Sequence, residues 1–226
     1  MKILCVDTSG PTCSLAIADE QRLLYESFVL NKLTHSVNLM PMIEEAFEKS
    51  SLSVSDVDYF AAVTGPGSFT GVRIGVSAVK AMAHAKNKPC IAVNALDAYA
   101  YGFLSSDKII CSIRDARNKQ VYTALYKDGQ RLTDYKALTL KELFSLIESY
   151  NEDCIFVGDG TAPYREDIIN NFKDKALIAP LQLNALRASY AAAIALKHTD
   201  EAVSPEELLP FYLRKPQAER ELQKRG

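Results

Sequence analysis

The sequence predicts an α/β protein made of two similar lobes, and three observations carry this prediction. The order three strands, helix, strand, helix occurs twice along the 226 residues. Hydrophobic residues make up 48% of the chain and charged residues 24%, as in a globular protein with a buried core. The length suits one large domain or two compact lobes. We therefore expect an N-terminal lobe over residues 1–104 and a C-terminal lobe over residues 105–226, each with a mixed sheet flanked by helices.

The elements of both lobes follow from short apolar runs separated by turn residues. In the first lobe we predict strands at 3–6, 15–18, 23–30, 59–63 and 90–93, and helices at 35–49, from the glycine-rich loop to 86, and at 95–103. In the second we predict strands at 109–113, 120–126, 131–137 and 154–157, and helices at 140–150, near Gly158 and at 185–197. Identical residues are few between the halves, so the repeat rests on the order of the elements.

Charge and cysteine usage narrow the class of protein. The formal net charge of -2 provides no bulk attraction for nucleic acid, so a partner would supply most of any RNA contact. The five cysteines are odd in number and none forms a C-x-x-C pair, which favours reduced thiols over disulfides or zinc. The apolar run before Asp7 is too short for a signal peptide, and no run approaches the ~20 residues that span a bilayer. We expect a cytoplasmic protein with no membrane partner.

The most informative motif is the loop Gly65-Pro66-Gly67-Ser68-Phe69-Thr70-Gly71, which a helix follows directly. Backbone N–H groups at a helix N-terminus suit a phosphate or a carboxylate. The loop lacks the Gly-Lys-Ser/Thr of a Walker loop and the G-x-G-x-x-G of a dinucleotide site. The residues alone favour a second interpretation, a tight strand-to-helix turn that supports an interface.

A candidate residual nucleotide or anion site involves the ends of several strands. Asp7 and Ser9 end the first strand, where actin-like ATPases carry an acidic residue and a phosphate-binding hairpin. The corresponding turn of the second half, residues 114–117, has no glycine. A damaged nucleotide cleft is therefore favoured over a working one. The candidate residues are Asp7, Ser9, Gly65, Gly67, Gly158 and Gly160.

Two neighbouring helices are more apolar than a single buried face requires. In the helix after the glycine-rich loop, the polar residues from Arg73 to His84 share a sector only roughly 60° wide. The helix at 35–49 carries an apolar band roughly 160° wide. Two explanations fit this excess equally well: a protein-binding surface, or a core that covers these helices on more than one side. The candidate interface residues are Leu39, Met40, Ile43, Phe47, Gly71, Val72, Gly75, Val76, Ala78, Val79 and Met82.

Local spacing predicts neither a metal site nor a catalytic residue. The three histidines, His35, His84 and His198, lie far apart in the sequence. None has a second histidine at the i+4 position that places two imidazoles on one helix face, since the residue four after His35 is Leu39. No arrangement of a nucleophile with a histidine follows from local spacing either.

Several motifs resemble one bacterial family. The block from Gly65 to Gly75, which reads GPGSFTGVRIG, resembles the TsaB (YeaZ) family of tRNA threonylcarbamoyladenosine biosynthesis proteins. Further matches span nearly the whole chain. They are Ile3 to Ser9, His35-Ser36 with Leu39 and Pro41, Asp115-Ala116-Arg117 with Val121-Tyr122, and Pro210 with Tyr212-Leu213-Arg214.

The resemblance implies a duplicated actin-like fold of the RNase H-like (ASKHA) type. It also implies a non-catalytic scaffold role in the transfer of threonylcarbamoyl to tRNA adenosine (t6A modification). The implied partners are a larger catalytic paralogue (TsaD-like), an ATPase subunit (TsaE-like) and a supplier of threonylcarbamoyl-adenylate. The paralogue carries an H-x-x-x-H metal pair, of which this chain keeps His35 but has Leu39. This chain would then need no cofactor, because partner subunits would bind ATP, ADP and metal, and tRNA would be bound through the complex.

Three alternatives stay open at this point. An actin-like ATPase or sugar kinase would need a working phosphate cleft. A metal-dependent glycoprotease-type hydrolase would need a bound metal. A homodimer of the free chain would make the chain its own partner.

The C-terminal tail is a separate feature. From Arg214 to Gly226 it carries five basic and two acidic residues, a local charge of +3 on a chain that is -2 overall. Such a tail is usually solvated. The alternative is a contact with tRNA phosphates or with an acidic partner, which salt would weaken.

Overall fold

A computed structural model describes residues 1–31 and 33–214, and the N-terminal strands form a five-stranded sheet. Its strands are β1 (Lys2–Asp7), β2 (Cys13–Asp19), β3 (Leu23–Val29), β4 (Tyr59–Gly65) and β5 (Cys90–Asn94). Their order is β3-β2-β1-β4-β5, with β1 antiparallel to β2 and parallel to β4. The central strands are continuous apolar runs because helices cover both faces of the sheet.

The second sheet repeats this arrangement. Its strands are β6 (Ile109–Asp115), β7 (Gln120–Lys127), β8 (Gln130–Arg131), β9 (Lys136–Thr139), β10 (Cys154–Val157) and β11 (Ala176–Ile178). Their order is β11-β10-β6-β7-β8, and β9 also pairs with β7. Like β1, strand β6 is antiparallel to the strand that follows it and parallel to the strand after the next helix. The predicted repeat is therefore visible in the pairing of the strands.

Helices fill three layers around the two sheets. They are α1 (His35–Ser50), α2 (Phe69–Lys86), α3 (Ala95–Tyr101), α4 (Leu140–Glu148), α5 (Arg165–Phe172) and α6 (Ala188–Lys197). Helices α1 and α2 pack on one face of the first sheet, and α4 and α5 pack on the outer face of the second. Helices α3 and α6 lie in a central core that both sheets share.

Helix α6 packs on the sheet of the first lobe, although the predicted division at residue 104 assigns residues 105–226 to the second. Helix α6 packs against β1 and β2 of the first sheet. Its four buried alanines let the helix axis come close to that sheet. Beyond α6, Val203 exchanges backbone hydrogen bonds with Cys90 at the start of β5. Residues 188–203 therefore extend the first lobe, although they come late in the sequence.

Two predicted strands differ from the observed ones. The strand expected at 131–137 is divided into β8 and β9, because the chain between them leaves the sheet edge and Thr133 accepts a hydrogen bond from the Leu125 amide. The short edge strand β11 was not predicted. Its three residues pair only with β10 and are too few to form a recognisable pattern.

The structure also shows the state of the cysteines and the character of the helices with respect to a membrane. All five cysteines are free and buried. No helix in the described part of the chain is both long and apolar enough to cross a bilayer. Residues 215–226 of the basic tail lie outside the described residues.

Candidate functional site

The turns that follow four strands meet in a cleft of about 800 Å³ between the two sheets. They come from β1, β4, β6 and β10. The carboxyl ends of parallel strands lie at one edge of a sheet, and such an edge is where α/β proteins bind ligands. Residues on the walls of the cleft include Ser9, Gly10, Gly67, Arg114, Arg117 and Asp159.

The side chain of Arg114 closes the floor of this cleft. It is only 2% exposed, although it lies at the end of β6 among turn residues. Its Nη1 donates to the Ser9 hydroxyl and to the Pro66 carbonyl, both at 2.7 Å. Its Nε and Nη2 donate to one carboxylate oxygen of Asp159, at 3.2 and 3.0 Å. One guanidinium thus joins turns from both lobes.

Charge keeps this guanidinium in place. Burial opposes the charged form of Arg114, but Asp159, Tyr99 and Asp7 together raise its pKa above the ordinary value. The guanidinium also lies over the Tyr99 ring, at 5.6 Å from the centroid. A buried ion pair of this kind is costly to break, because the remaining partner keeps an uncompensated charge.

Asp7 lies beneath the cleft and is completely buried. Its Oδ1 accepts hydrogen bonds from the Ser9 amide at 2.8 Å and the Ser9 hydroxyl at 2.5 Å. Its Oδ2 has no hydrogen-bond partner among the described residues. Burial raises the pKa of the Asp7 carboxyl above its ordinary value, against the opposing effects of Arg114 and of the hydrogen bonds from Ser9. Asp7 therefore orients Ser9 toward Arg114.

The glycines of the candidate anion site serve contacts within the chain. A Cβ on Gly67 would lie 2.1 Å from the Ser9 carbonyl oxygen and 2.9 Å from Nη1 of Arg114. Gly158 has a φ of +119°, which other residues rarely adopt, and it packs against the Ile113 carbonyl. These glycines let the turns approach one another and Arg114. This geometry agrees with the tight-turn interpretation of the glycine-rich loop.

The six candidate anion-site residues do not form one pocket. Ser9 and Gly67 line the cleft. Asp7 lies beneath Ser9, and Gly158 and Gly160 pack on Ile113 next to Arg114. Gly65 is directed elsewhere, because a Cβ there would meet the Phe211 carbonyl. Binding of a nucleotide or an anion by this set stays a prediction.

His35 is engaged with the backbone at the edge of the cleft. Its Nε2 lies 2.9 Å from the Gly10 carbonyl oxygen. The residue at the i+4 position, Leu39, is buried in the core beneath α1. Within residues 1–31 and 33–214, no group of three or more histidine, cysteine, aspartate or glutamate side chains is arranged to hold a metal ion.

The predicted interface on α1 and α2 proves to be largely core, which corrects its use as a binding surface. Both helices pack one face against β1, β2 and β4, and most of the excess apolar residues are buried in this contact. Seven of the eleven predicted residues are buried in this way. They are Leu39, Ile43, Gly71, Val72, Gly75, Val76 and Val79.

A smaller apolar surface remains on the outside of the two helices. Met40 is 51% exposed, and Phe47, Ala78 and Met82 are half-buried. Val37, one turn before Met40, is 55% exposed. The two α2 residues are four positions apart and therefore share one stripe of their helix. We call these five side chains the helical face. Its role as an interface stays a prediction.

The sequence did not reveal Arg114 and Asp159 as a pair, although the turn at 114–117 and the glycines on either side of Asp159 were noted. Their only sequence signal is a charged residue at the end of each apolar run, before Asp115 and after Gly158. Reasoning from sequence also missed a second cavity of about 860 Å³ on the other side of α3. There Asp97 accepts hydrogen bonds from the hydroxyls of Tyr126 and Tyr135, at 2.6 and 2.5 Å.

Comparisons with known proteins agree with the fold and the motifs. A family model described as "TsaD: tRNA N6-adenosine threonylcarbamoyltransferase" matches residues 30–222. The tRNA threonylcarbamoyladenosine biosynthesis protein TsaB of Bacillus subtilis (strain 168) is 30% identical over 223 residues, which cover 97% of this chain and 96% of the relative.

Solved structures extend the comparison. YeaZ from Pseudomonas aeruginosa superimposes with a TM-score of 0.77 and 27% identity, covering 94% of this chain and 99% of that one. A ROK hexokinase from Thermus thermophilus superimposes with a TM-score of 0.51 and 12% identity, covering 89% and 100%, so that likeness concerns the fold alone. The predicted duplicated actin-like fold is confirmed. The chain belongs to the TsaB (YeaZ) family of tRNA threonylcarbamoyladenosine biosynthesis proteins.

Proposed function

We propose that this chain is a non-catalytic subunit of t6A synthesis that pairs with a TsaD-like threonylcarbamoyltransferase. The observation that carries the proposal is the position of Arg114. In an actin-like nucleotide site, the phosphates lie between the turns after the first strand of each lobe. In this chain the Arg114 guanidinium occupies that space, with hydrogen bonds to Ser9 and Asp159.

This arrangement opposes nucleotide turnover for an electrostatic reason. All three guanidinium nitrogens of Arg114 are already bonded to oxygens of the protein. A triphosphate would have to displace Asp159 and leave that carboxylate beside its own negative charge. ATP, ADP and metal would accordingly be bound by partner subunits, and this chain would require no cofactor.

The position of His35 supports the same proposal. A transferase or peptidase of the related kind uses two histidines one turn apart on this helix. Here the imidazole contacts the Gly10 carbonyl, and Leu39 belongs to the core. A ligand at position 39 would have to replace a buried leucine.

We further propose that the helical face is the surface that meets the catalytic paralogue. Burying apolar surface in an interface stabilises the complex by about 25 cal/mol for each Å² removed from water. An interface of standard size covers roughly 800 Å² on each partner. A complex with a TsaE-like ATPase subunit and with tRNA, in the cytoplasm, completes the proposal. A homodimer through the same face is the competing arrangement for the free chain.

Pairing is tested by Ala78→Arg, with Ser77→Arg as its matched control. Both changes add the same charge to α2, but Ser77 is exposed on the polar side of the helix. Ala78→Arg should abolish co-purification with the paralogue while the melting temperature stays within a few degrees. Ser77→Arg should retain both. Retained pairing in Ala78→Arg would reject the helical face, because an arginine cannot be accommodated in a close helix contact.

The non-catalytic role is tested separately. The isolated chain should neither hydrolyse ATP nor transfer threonylcarbamoyl, and adding it to the paralogue should be required for t6A formation. ATP turnover by the isolated chain would favour the kinase-like alternative. Stoichiometric metal together with transferase or hydrolase activity in the isolated chain would favour the hydrolase alternative.

A further inference from the structure

Arginine and aromatic side chains converge at the open side of the cleft, away from its closed floor. Phe69 at the start of α2 stacks on Tyr212, with ring centroids 4.4 Å apart and planes at 21°. Nε of Arg73 donates to the Tyr212 hydroxyl at 3.0 Å. The Arg214 guanidinium lies over the Tyr122 ring, at 5.7 Å from the centroid. We call the cleft mouth the set Phe69, Arg73, Arg117, Tyr122, Tyr212 and Arg214.

Two arginines of the cleft mouth, Arg73 and Arg117, are available to an anion. Arg73 and Arg117 are exposed, and neither forms an ion pair with a residue in 1–31 or 33–214. Arg73 bonds only to a neutral phenol in the contacts described. The Nη1 of Arg214 is buried and has no acceptor in the described part of the chain.

Two carboxylates near the cleft mouth already accept hydrogen bonds from other groups of the protein. Asp159 binds Arg114 on the cleft floor. Oδ1 of Asp115 accepts hydrogen bonds from the Tyr164 hydroxyl and from the Arg117 amide, both at 2.8 Å. Asp159 is paired with Arg114, whereas the exposed Asp115 keeps its negative charge because both of its donors are neutral. Arg73 and Arg117 outnumber Asp115, so the charge of the cleft mouth is positive.

We propose that the cleft mouth binds a single-stranded segment of RNA, with Arg73 and Arg117 on phosphates and the exposed side of the Phe69–Tyr212 stack on a base. Tyr122 is only 8% exposed and supports Arg214 from the core. This inference rests on the proposed role in tRNA modification and deepens it by assigning an RNA contact to this chain. Proteins that hold single strands combine a positive groove with aromatic rings on which bases stack. Here both components occur within one cleft. Duplex RNA fits less well, because its bases cannot reach the rings.

The basic tail follows Arg214 of the cleft mouth directly in the sequence. The described chain ends at Arg214, which itself belongs to the cleft mouth. The following residues carry four of the five basic side chains counted from Arg214 to the end of the sequence. An acidic segment of a protein would be drawn to the same charges, but it would make no use of the stacked rings. RNA uses both, and this favours RNA as the ligand.

The test uses the isolated full-length chain and fluorescein-labelled oligouridine, measured by anisotropy over a range of salt concentrations. The double variant Arg73→Ala/Arg117→Ala should bind about tenfold more weakly at low salt. Each phosphate contact to a single strand contributes about 0.7 to the salt slope, so the loss of two should make that slope shallower by about 1.4. Lys141→Ala, an exposed charge change on α4, is the control and should bind like the unaltered chain. Ultraviolet cross-linking should label peptides that contain Phe69 or Tyr212.

The outcomes separate this inference from the proposed function. Equal RNA binding by the unaltered chain and the double variant, or no RNA binding by the unaltered chain at low salt, would overturn the inference. Weakened pairing of the double variant with the paralogue, with unchanged RNA binding, would assign the cleft mouth to an acidic protein contact instead. Failure of the unaltered chain to pair with the paralogue would count against the proposed function and leave the RNA result standing. Melting temperatures of the variants exclude unfolding as a cause.

Discussion

The cleft floor and the helical face differ in how completely their side chains find partners within the chain. On the cleft floor, every guanidinium nitrogen of Arg114 is bonded within the protein. On the helical face, Met40 and Val37 expose about half of their apolar surface. The cleft floor is therefore held by contacts within the chain, whereas the helical face leaves apolar side chains exposed to solvent.

The largest effect should come from the cleft floor. Arg114→Met removes the guanidinium but leaves Asp159 and Asp7 in place, and should lower the free energy of unfolding by about 3–5 kcal/mol because a buried charge loses its partner. Chemical denaturation measures this loss. The double variant Arg114→Met/Asp159→Asn should regain part of it. If Arg114→Met alone is nearly neutral, the cleft is not held closed by this ion pair.

A contact between β3 and α6 gives the next effect, and it depends on pH. Burial alone would raise the pKa of Glu26, but the hydrogen bonds from Arg187 and Ser189 outweigh it and hold that pKa below its ordinary value of 4.5. A lowered pKa in the folded state means that the stabilisation is present above pH 4.5 and is lost as the pH falls through the folded pKa. Glu26→Gln should therefore cost about 2 kcal/mol at pH 7.

The same variant should cost less at a pH below the folded pKa of Glu26, because the carboxylate of the unaltered chain is itself protonated there. Thermal unfolding of both proteins at the two pH values provides the check. An equal difference at both pH values would mean that packing, and not the charge of Glu26, stabilises the contact with α6.

Helix α2 allows a comparison of its two sides. Val76 is 3% exposed and Ala78 is half-buried on the outside. Val76→Thr places a hydroxyl in the core and should lower the free energy of unfolding by about 1–3 kcal/mol. Ala78→Ser should stay within about 0.5 kcal/mol. Similar losses at both positions would place Ala78 in the core and remove it from the helical face.

The smallest change in stability is expected on α1. Met40→Gln keeps the length of the side chain and removes its apolar end, so the free energy of unfolding should change by less than about 0.5 kcal/mol. Its association with the catalytic paralogue should weaken by about tenfold. Glu45→Gln, an exposed change on another side of the same helix, is the control for both measurements. Unchanged association for Met40→Gln would exclude Met40 from the interface.

Much of the fold could be predicted from local pattern, because strands and helices bury one face at a fixed period. Helix α1 was expected at 35–49 and is observed at His35–Ser50, and the strand expected at 154–157 is observed at Cys154–Val157. The errors occur where contacts with residues distant in the sequence determine the local structure. The strand expected at 131–137 is interrupted where Thr133 accepts from the Leu125 amide and Tyr135 donates to Asp97, 38 residues earlier in the chain. No local pattern contains that contact.

The candidate site was predictable in its parts but not in its arrangement. The excess of apolar residues on α1 and α2 was correctly detected, yet periodicity does not tell a partner from the protein's own sheet. Leu39 and Val76 are buried in the core on that sheet, whereas Met40 is 51% exposed and Ala78 is half-buried at the border of the same core. The glycine-rich loop was placed at the start of α2, but the reason for Gly67 lies in the Ser9 carbonyl on another turn.

By itself the sequence determined the family, through the block from Gly65 to Gly75, and the two-lobed order of strands and helices. Both are local properties, since they depend on neighbours along the chain. Only the tertiary structure decided that Arg114 closes the cleft, because its partners Ser9 and Asp159 lie 105 and 45 residues away. The same holds for the cleft mouth, which brings Phe69 and Tyr212 together across the chain. Contacts of this kind arise when the lobes pack, and the free energy that selects them belongs to the folded chain as a whole.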